Sequence, residues 1–150
     1  KTYNMAGWRL GMAVGNAEVI EYLSTYKSQM DTSNFAPVFA AGVTALTSDQ
    51  DWLEERNALY QERRDLVVNG LRAAGLSVDT PKAAIYVWAG LPAGENDSIR
   101  FCNRMLEETG VSTTPGIVYG KHGEGFLRVS LGTATERIAE AMQRIIHWTK

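Results

Sequence analysis

Cysteine is almost absent from this 150-residue sequence: Cys102 stands alone, so no disulfide can close within it. Histidine is as scarce, with only His122 and His147, and this argues against a Cys/His zinc site; no metal site is expected. Neither sign of charge dominates. Fifteen Lys and Arg against seventeen Asp and Glu leave a net charge of −2, and the basic residues are spread evenly. Nothing in that balance points to nucleic acid or an anionic membrane as partner. No apolar run approaches the roughly 20 residues that span a bilayer. Residues 1–20 lack the charged start and uninterrupted apolar stretch of a signal peptide. Repeats and low-complexity segments are missing too. A single cysteine fits a reducing compartment, and a soluble, cytoplasmic protein is expected.

What is present is enough for one domain with a core: hydrophobic residues make up 45% and charged residues 21%. "LGMAV" (Leu10–Val14), between Gly11 and Gly15, reads as a buried strand end. "AEVIEYLSTYKSQM" places Val19, Ile20, Leu23 and Tyr26 at helical spacing. In "NFAPVFAAGVTAL", Pro37 falls where a first helical turn tolerates it. The longest periodic segment predicts one helix from about Ser48 to Ala74, with Trp52, Leu53, Leu59, Tyr60, Leu66, Val67 and Leu71 in one stripe and Gly75 as its stop. "LSV" and "AAIYVWA" read as strands, and "SIRFCNRMLEETG" as a helix stopped by Gly110. "VSTTPGIVYGKHGEG" reads as loop after a short strand, and "FLRVSL" as a strand. The last helix, "TATERIAEAMQRIIHW", is expected to open on a capping box of Thr133 and Glu136 and to bury Ile138, Ala141, Met142, Ile145 and Ile146. The order is an α/β or α+β plan, with a boundary near the start of the long helix.

Two places could carry chemistry. In "KTYNMAGWRLG", Arg9 stands between Gly7 and Gly11, where a guanidinium can fork onto a phosphate or carboxylate. Lys1 heads the same segment. A lysine amine attacks carbonyls only when neutral, and at an ordinary pKa of about 10.4 roughly one in 2,500 is neutral at pH 7. A site that uses Lys1 must therefore lower its pKa by burial or by nearby positive charge, which Arg9 could supply. A solvated lysine and arginine have the same spacing. In "FLRVSL", a strand puts Phe126, Arg128 and Ser130 on one face and Leu127, Val129 and Leu131 on the core face. Arg128 then projects beside an aromatic ring from a rigid element, placed to grip a carboxylate. A surface salt bridge, contributing about 0–1 kcal/mol, is the competing reading.

Read as a whole, "KTYNMAGWRLG" resembles the lysine segment of fold-type-I aminotransferases, enzymes that depend on pyridoxal 5'-phosphate. The signature is a lysine, an aromatic two positions on, and Gly-Trp-Arg-aliphatic-Gly, matched here by Lys1, Tyr3, Gly7, Trp8, Arg9, Leu10 and Gly11. "ALYQERRDLVVNGLRAAGL", "AAIYVWAGLP" and "VSTTPGIVYGKHGEGFLRVSLGTATERIAEAMQRI" resemble the interdomain helix and small C-terminal domain of such enzymes, aspartate/diaminopimelate aminotransferase-like. The resemblance implies that residues 1–48 end the large cofactor-binding domain and that 49–150 form the interdomain helix and an α+β small domain. It implies Lys1 as the Schiff-base lysine that shuttles the proton, Arg9 as the ligand of the cofactor phosphate, and Arg128 as the ligand of the substrate α-carboxylate. The implied reaction is amino transfer between an amino acid and a 2-oxo acid, in a homodimer. Ser33 and Asn34 resemble a stretch that approaches the neighbouring subunit's site.

The family's phosphate-cradling turn, its aspartate on the pyridine nitrogen and its stacked aromatic ring all precede the lysine. The expectation is therefore a C-terminal part of a longer enzyme, needing the remainder of its own chain and inactive alone. No arginine occurs between Val14 and Arg56, where aspartate aminotransferases with a distal-carboxylate arginine carry it, near Gln29. That argues against this subtype. A C–S lyase of the same fold, or the aminotransferase-like sensor domain of a transcription regulator, would share Lys1, Arg9 and Arg128. Elsewhere Trp8, Trp52, Trp88 and Trp148 read as packing, Tyr86 and Phe126 as either cleft or core, Met5, Met12 and Met142 as gap fillers, and Cys102 as a small buried residue. His122 has no evident partner.

Overall fold

The computed structural model describes residues 2–150. It divides into two compact units, Lys1–Leu53 and Glu54–Lys150.

Among its described residues the first unit holds a single 3-10 turn, Ala6–Trp8, and two helices, α1 (Ala17–Met30) and α2 (Ala36–Thr47). α1 starts where the Asn16 side chain accepts from the Val19 amide at 3.2 Å, satisfying one of the orphan donors of a helix N-terminus. Pro37 occupies the first turn of α2 as expected, where its missing N–H costs nothing. The Tyr3 hydroxyl donates to Gln50 Oε1 at 2.8 Å, and the Tyr3 ring lies 6.0 Å from that of Trp52. No described residue of this unit is buried. The expected strand at Leu10–Val14 is not formed. A strand needs a ladder partner, and among the described residues of this unit there is no other strand. Met12, expected to fill a gap, is 71% exposed for the same reason.

α3 (Trp52–Ala73) begins four residues later than its periodicity predicts and lies almost wholly in the second unit. The apolar stripe is buried only in its C-terminal half, at Val67 and Leu71, with Val68 buried beside it though outside the predicted stripe, whereas Trp52 and Leu59 stay exposed. A four-stranded antiparallel sheet follows, in the order β1 (Ser77–Val78), β2 (Tyr86–Gly90), β4 (Phe126–Ser130), β3 (Thr114–Pro115). β2 and β4 pair Tyr86 with Ser130, Trp88 with Arg128 and Gly90 with Phe126 on one face; Val87 with Val129 and Ala89 with Leu127 lie on the other. That second face meets α3, α4 (Ser98–Thr109) and α5 (Thr135–Trp148) in a core of Leu71, Val87, Phe101, Met105, Leu127, Leu131 and Ile145. Val129 packs against it at half burial, so the predicted core face of "FLRVSL" holds.

Both ends of α4 carry clear stop signals: Asp97 accepts from the Arg100 amide at 2.9 Å, and Gly110 sits in the left-handed region at φ 71°. α5 departs from expectation. Its N-cap is Ala134, with no side-chain cap, so the Thr133–Glu136 box does not form. Thr133 lies one residue too early, and Thr135 instead accepts from Arg63 Nε at 3.1 Å, tying α5 to α3. The buried face is as predicted, with Ile138, Met142 and Ile145 buried and Ala141 and Ile146 packed beside them. Cys102 is buried as expected, and its sulfur accepts from the Thr113 hydroxyl at 3.3 Å. Burial pushes the thiol pKa up, the Thr113 bond opposes this, and the Glu124 charge adds to it. Trp148 packs edge-on against Phe101, with centroids 5.4 Å apart.

Candidate functional site

Lys1 lies outside the described residues. Arg9 is described, and its backbone is unusual. It closes the 3-10 turn in the left-handed region, at φ 54° and ψ 32°. A non-glycine residue pays about 1–2 kcal/mol for that conformation, and such outliers gather where a side chain must be aimed. The guanidinium is exposed, and its Nη1 donates a long hydrogen bond to the Ala6 carbonyl at 3.4 Å. It borders a cavity of about 590 Å³ walled mainly by Tyr3, Leu10, Phe39, Val43 and Leu46. A cation with uncommitted donors at the rim of an apolar hollow fits an anion attached to an aromatic body.

Arg128 belongs to the second unit. It projects from β4 on the face opposite the core, half-buried, and its Cζ lies 4.0 Å from the centroid of the Tyr86 ring and 4.6 Å from that of Tyr119. Tyr86 sits diagonally across the β2–β4 ladder, since Trp88 is the residue directly opposite Arg128. Trp88 in turn stacks on Phe126 at 5.7 Å and meets Tyr119 edge-on at 5.6 Å. Trp88, expected to be packing, is therefore part of an exposed aromatic ledge and is itself 38% exposed. Phe126 and Tyr86, left open between cleft and core, both lie on this outer face. Among the described residues Arg128 has no carboxylate partner and no side-chain hydrogen bond, so the competing surface salt bridge does not form.

Tyr119 owes its place to a pinned loop. Ser98 is fully buried at the start of α4; its amide donates to Glu124 Oε1 at 2.6 Å, and its hydroxyl accepts from the Ile117 amide at 3.4 Å. Glu124 Oε1 also accepts from the Gly125 amide at 3.1 Å. Gly116 and Gly123 approach so closely that a Cβ on either would run into the carbonyl of the other. These contacts close the segment from Gly116 to Gly125 into a fixed loop with Tyr119 on it. Sequence reasoning missed Tyr119 and Glu124, for the loop gives no period to read. Among the described residues no group of three His, Cys, Asp or Glu could hold a metal.

A family model for aminotransferase class I and II matches residues 1–145. The LL-diaminopimelate aminotransferase of Moorella thermoacetica is 47% identical over 145 residues, covering 97% of this chain and 37% of that protein. The LL-diaminopimelate aminotransferase of Nitratidesulfovibrio vulgaris is 45% identical over the same shares. The solved structure of an aminotransferase from Staphylococcus aureus superposes with a TM-score of 0.87 at 32% identity, covering 99% of this chain and 39% of that one. The chain thus spans little more than a third of the length of the relatives it matches. Its helices and small antiparallel sheet are those of the corresponding tail of fold-type-I aminotransferases.

Proposed function

From the premise that this chain belongs to the aminotransferase class I and II family, we propose that it is the C-terminal part of an enzyme moving an amino group between an amino acid and a 2-oxo acid. The observation that carries the reading is the family match, which runs without interruption through both units. Members of the family depend on pyridoxal phosphate, which when bound supplies an aldehyde carbon to carry the amino group and a ring to draw electrons from the substrate Cα. The Arg9 geometry fits that cofactor's phosphate: exposed donors stand at the edge of a hollow, and open space surrounds Gly7, where a Cβ would meet nothing within 4 Å. Lys1 holds the cofactor through Nζ and moves the proton at the substrate Cα, which requires its neutral amine. Arg128 grips the substrate α-carboxylate through the in-plane fork of its guanidinium. That no described residue offers it an acidic partner supports this role, because a half-buried cation without a counter-ion is a ready carboxylate site.

Residues 1–48 end the large domain, and 49–150 form the interdomain helix and small domain; the compact division near Leu53 supports that boundary. The names of the two relatives support LL-diaminopimelate as one substrate. The enzyme is a cytoplasmic homodimer in this reading, and among the described residues no helix is long and apolar enough to cross a membrane. The test uses the full-length holoenzyme. Borohydride reduction followed by peptide mapping is expected to leave a pyridoxyl group on Lys1. Lys1→Ala should lower kcat about 10²–10⁴-fold. A reduced enzyme with Lys1 unmodified sinks the proposal.

A further inference from the structure

We propose that Tyr86 and Tyr119 are positioning residues for substrate recognition: their rings hold the Arg128 guanidinium in the orientation that receives a carboxylate. The inference rests on the reading of Arg128 given above and adds to it the two side chains that aim it.

A guanidinium on a flexible stem loses rotamer freedom each time it binds, and side chains of this kind carry up to about 2 kcal/mol of such entropy. Most buried arginines are held by a carboxylate, but a carboxylate here would occupy the N–H edges that the substrate needs. Aromatic rings solve the conflict. At 4.0 Å from the centroid the Arg128 central carbon is in contact with the Tyr86 ring, close enough for the guanidinium to stack along it. The contact stabilises the cation through the ring's quadrupole and leaves the in-plane donors unspent. Tyr119 makes a second contact at 4.6 Å.

Both rings are themselves fixed. Tyr86 stands on β2, whose register with β4 is set on the core side by Val87 and Ala89. Tyr119 stands on the loop closed by Glu124, Ser98 and the Gly116–Gly123 approach, and its ring meets that of Trp88 in a T-shaped contact. Neither hydroxyl makes a hydrogen bond among the described residues, so the ring faces are the interacting groups.

The experiment uses the full-length holoenzyme and two probes: L-glutamate, and 4-aminobutyrate, which is the same molecule without its α-carboxylate. Binding is read as a dissociation constant from calorimetry and kcat and KM from initial rates. Tyr86→Leu and Tyr119→Leu are each expected to weaken L-glutamate binding by roughly 5- to 30-fold, to raise KM in parallel, and to leave 4-aminobutyrate binding within about twofold. Tyr86→Phe and Tyr119→Phe, which keep the ring, should bind L-glutamate within about twofold of the parent. Arg128→Leu serves as the control for the underlying reading, and Arg128→Lys should recover little of the loss because the fork is gone.

The outcomes separate cleanly. If Arg128→Leu does not weaken L-glutamate binding, or if the unmodified enzyme does not favour L-glutamate over 4-aminobutyrate, the reading of Arg128 falls and the clamp with it. If Arg128→Leu weakens L-glutamate while both leucine variants do not, the clamp alone is overturned. It is overturned as well if the phenylalanine variants lose as much as the leucine ones, or if both probes weaken together. A double variant, Tyr86→Leu with Arg128→Leu, should bind L-glutamate no more weakly than Arg128→Leu alone.

Discussion

The Glu124 carboxylate accepts the Ser98 and Gly125 amides through one oxygen, and these bonds hold its pKa below the usual glutamate range. The folded form thus binds its proton less readily than the unfolded chain does. Glu124 contributes stability above the unfolded-state pKa of about 4.3, and that contribution is lost as pH falls through its lower folded value. Glu124→Gln should accordingly lower the thermal midpoint at neutral pH and flatten its decline on acidification, as followed by near-UV circular dichroism between pH 3 and 7. An acid profile identical to that of the parent would remove Glu124 as a contributor. At this scale the sequence disclosed the face on which Arg128 lies, because strand alternation is a local rule. It did not disclose Tyr119 or Glu124, whose partners lie across loops of no period.

Helices and strands show where local rules suffice and where partners decide. Pro37, Asp97 and Gly110 act through a backbone position they themselves occupy, so their elements were readable or could have been. Leu10–Val14 has the composition of a strand, but a ladder is a property of two segments. The capping box failed by register, because helix ends drift by a residue or two and Ala134, not Thr133, became the cap. Gly70, in α3, presents a conflict that magnitudes resolve. Replacing it with alanine gains about 0.8–1 kcal/mol of helix propensity. A Cβ there would lie 2.7 Å from Cβ and Cγ of Met142, inside van der Waals contact, and overpacking of this kind costs about 1–3 kcal/mol. Gly70→Ala should therefore destabilise by up to about 2 kcal/mol in urea titration. Adding Met142→Ala should recover part of the clash cost while losing apolar burial of its own.

The two units of the chain differ most in what they bury. Residues 54–150 enclose a contiguous core from Val67 to Ile145, whereas no described residue up to Leu53 is buried. α2, "APVFAAGVTALT", is apolar on nearly every side, and a helix of that kind is stable only when covered all round. Expressed separately, residues 54–150 should unfold in one cooperative urea transition with about 5–10 kcal/mol, as a domain of roughly 100 residues does. Residues 2–53 should show no cooperative transition. A second unit that melts gradually would mean that its core depends on chain outside it. The order of the elements and their division near the long helix could be read from periodicity. The asymmetry of burial could not, because composition reports which residues want cover and not which receive it.

That asymmetry gives the lone thiol a use. Cys102 lies 4% exposed on α4, with its ionisation suppressed, so an alkylating reagent finds neither access nor thiolate while the second unit is closed. Modification must wait for the core to open. The rate at which this one sulfur is labelled therefore works as a clock for breathing of the second unit, built into the chain without any added probe.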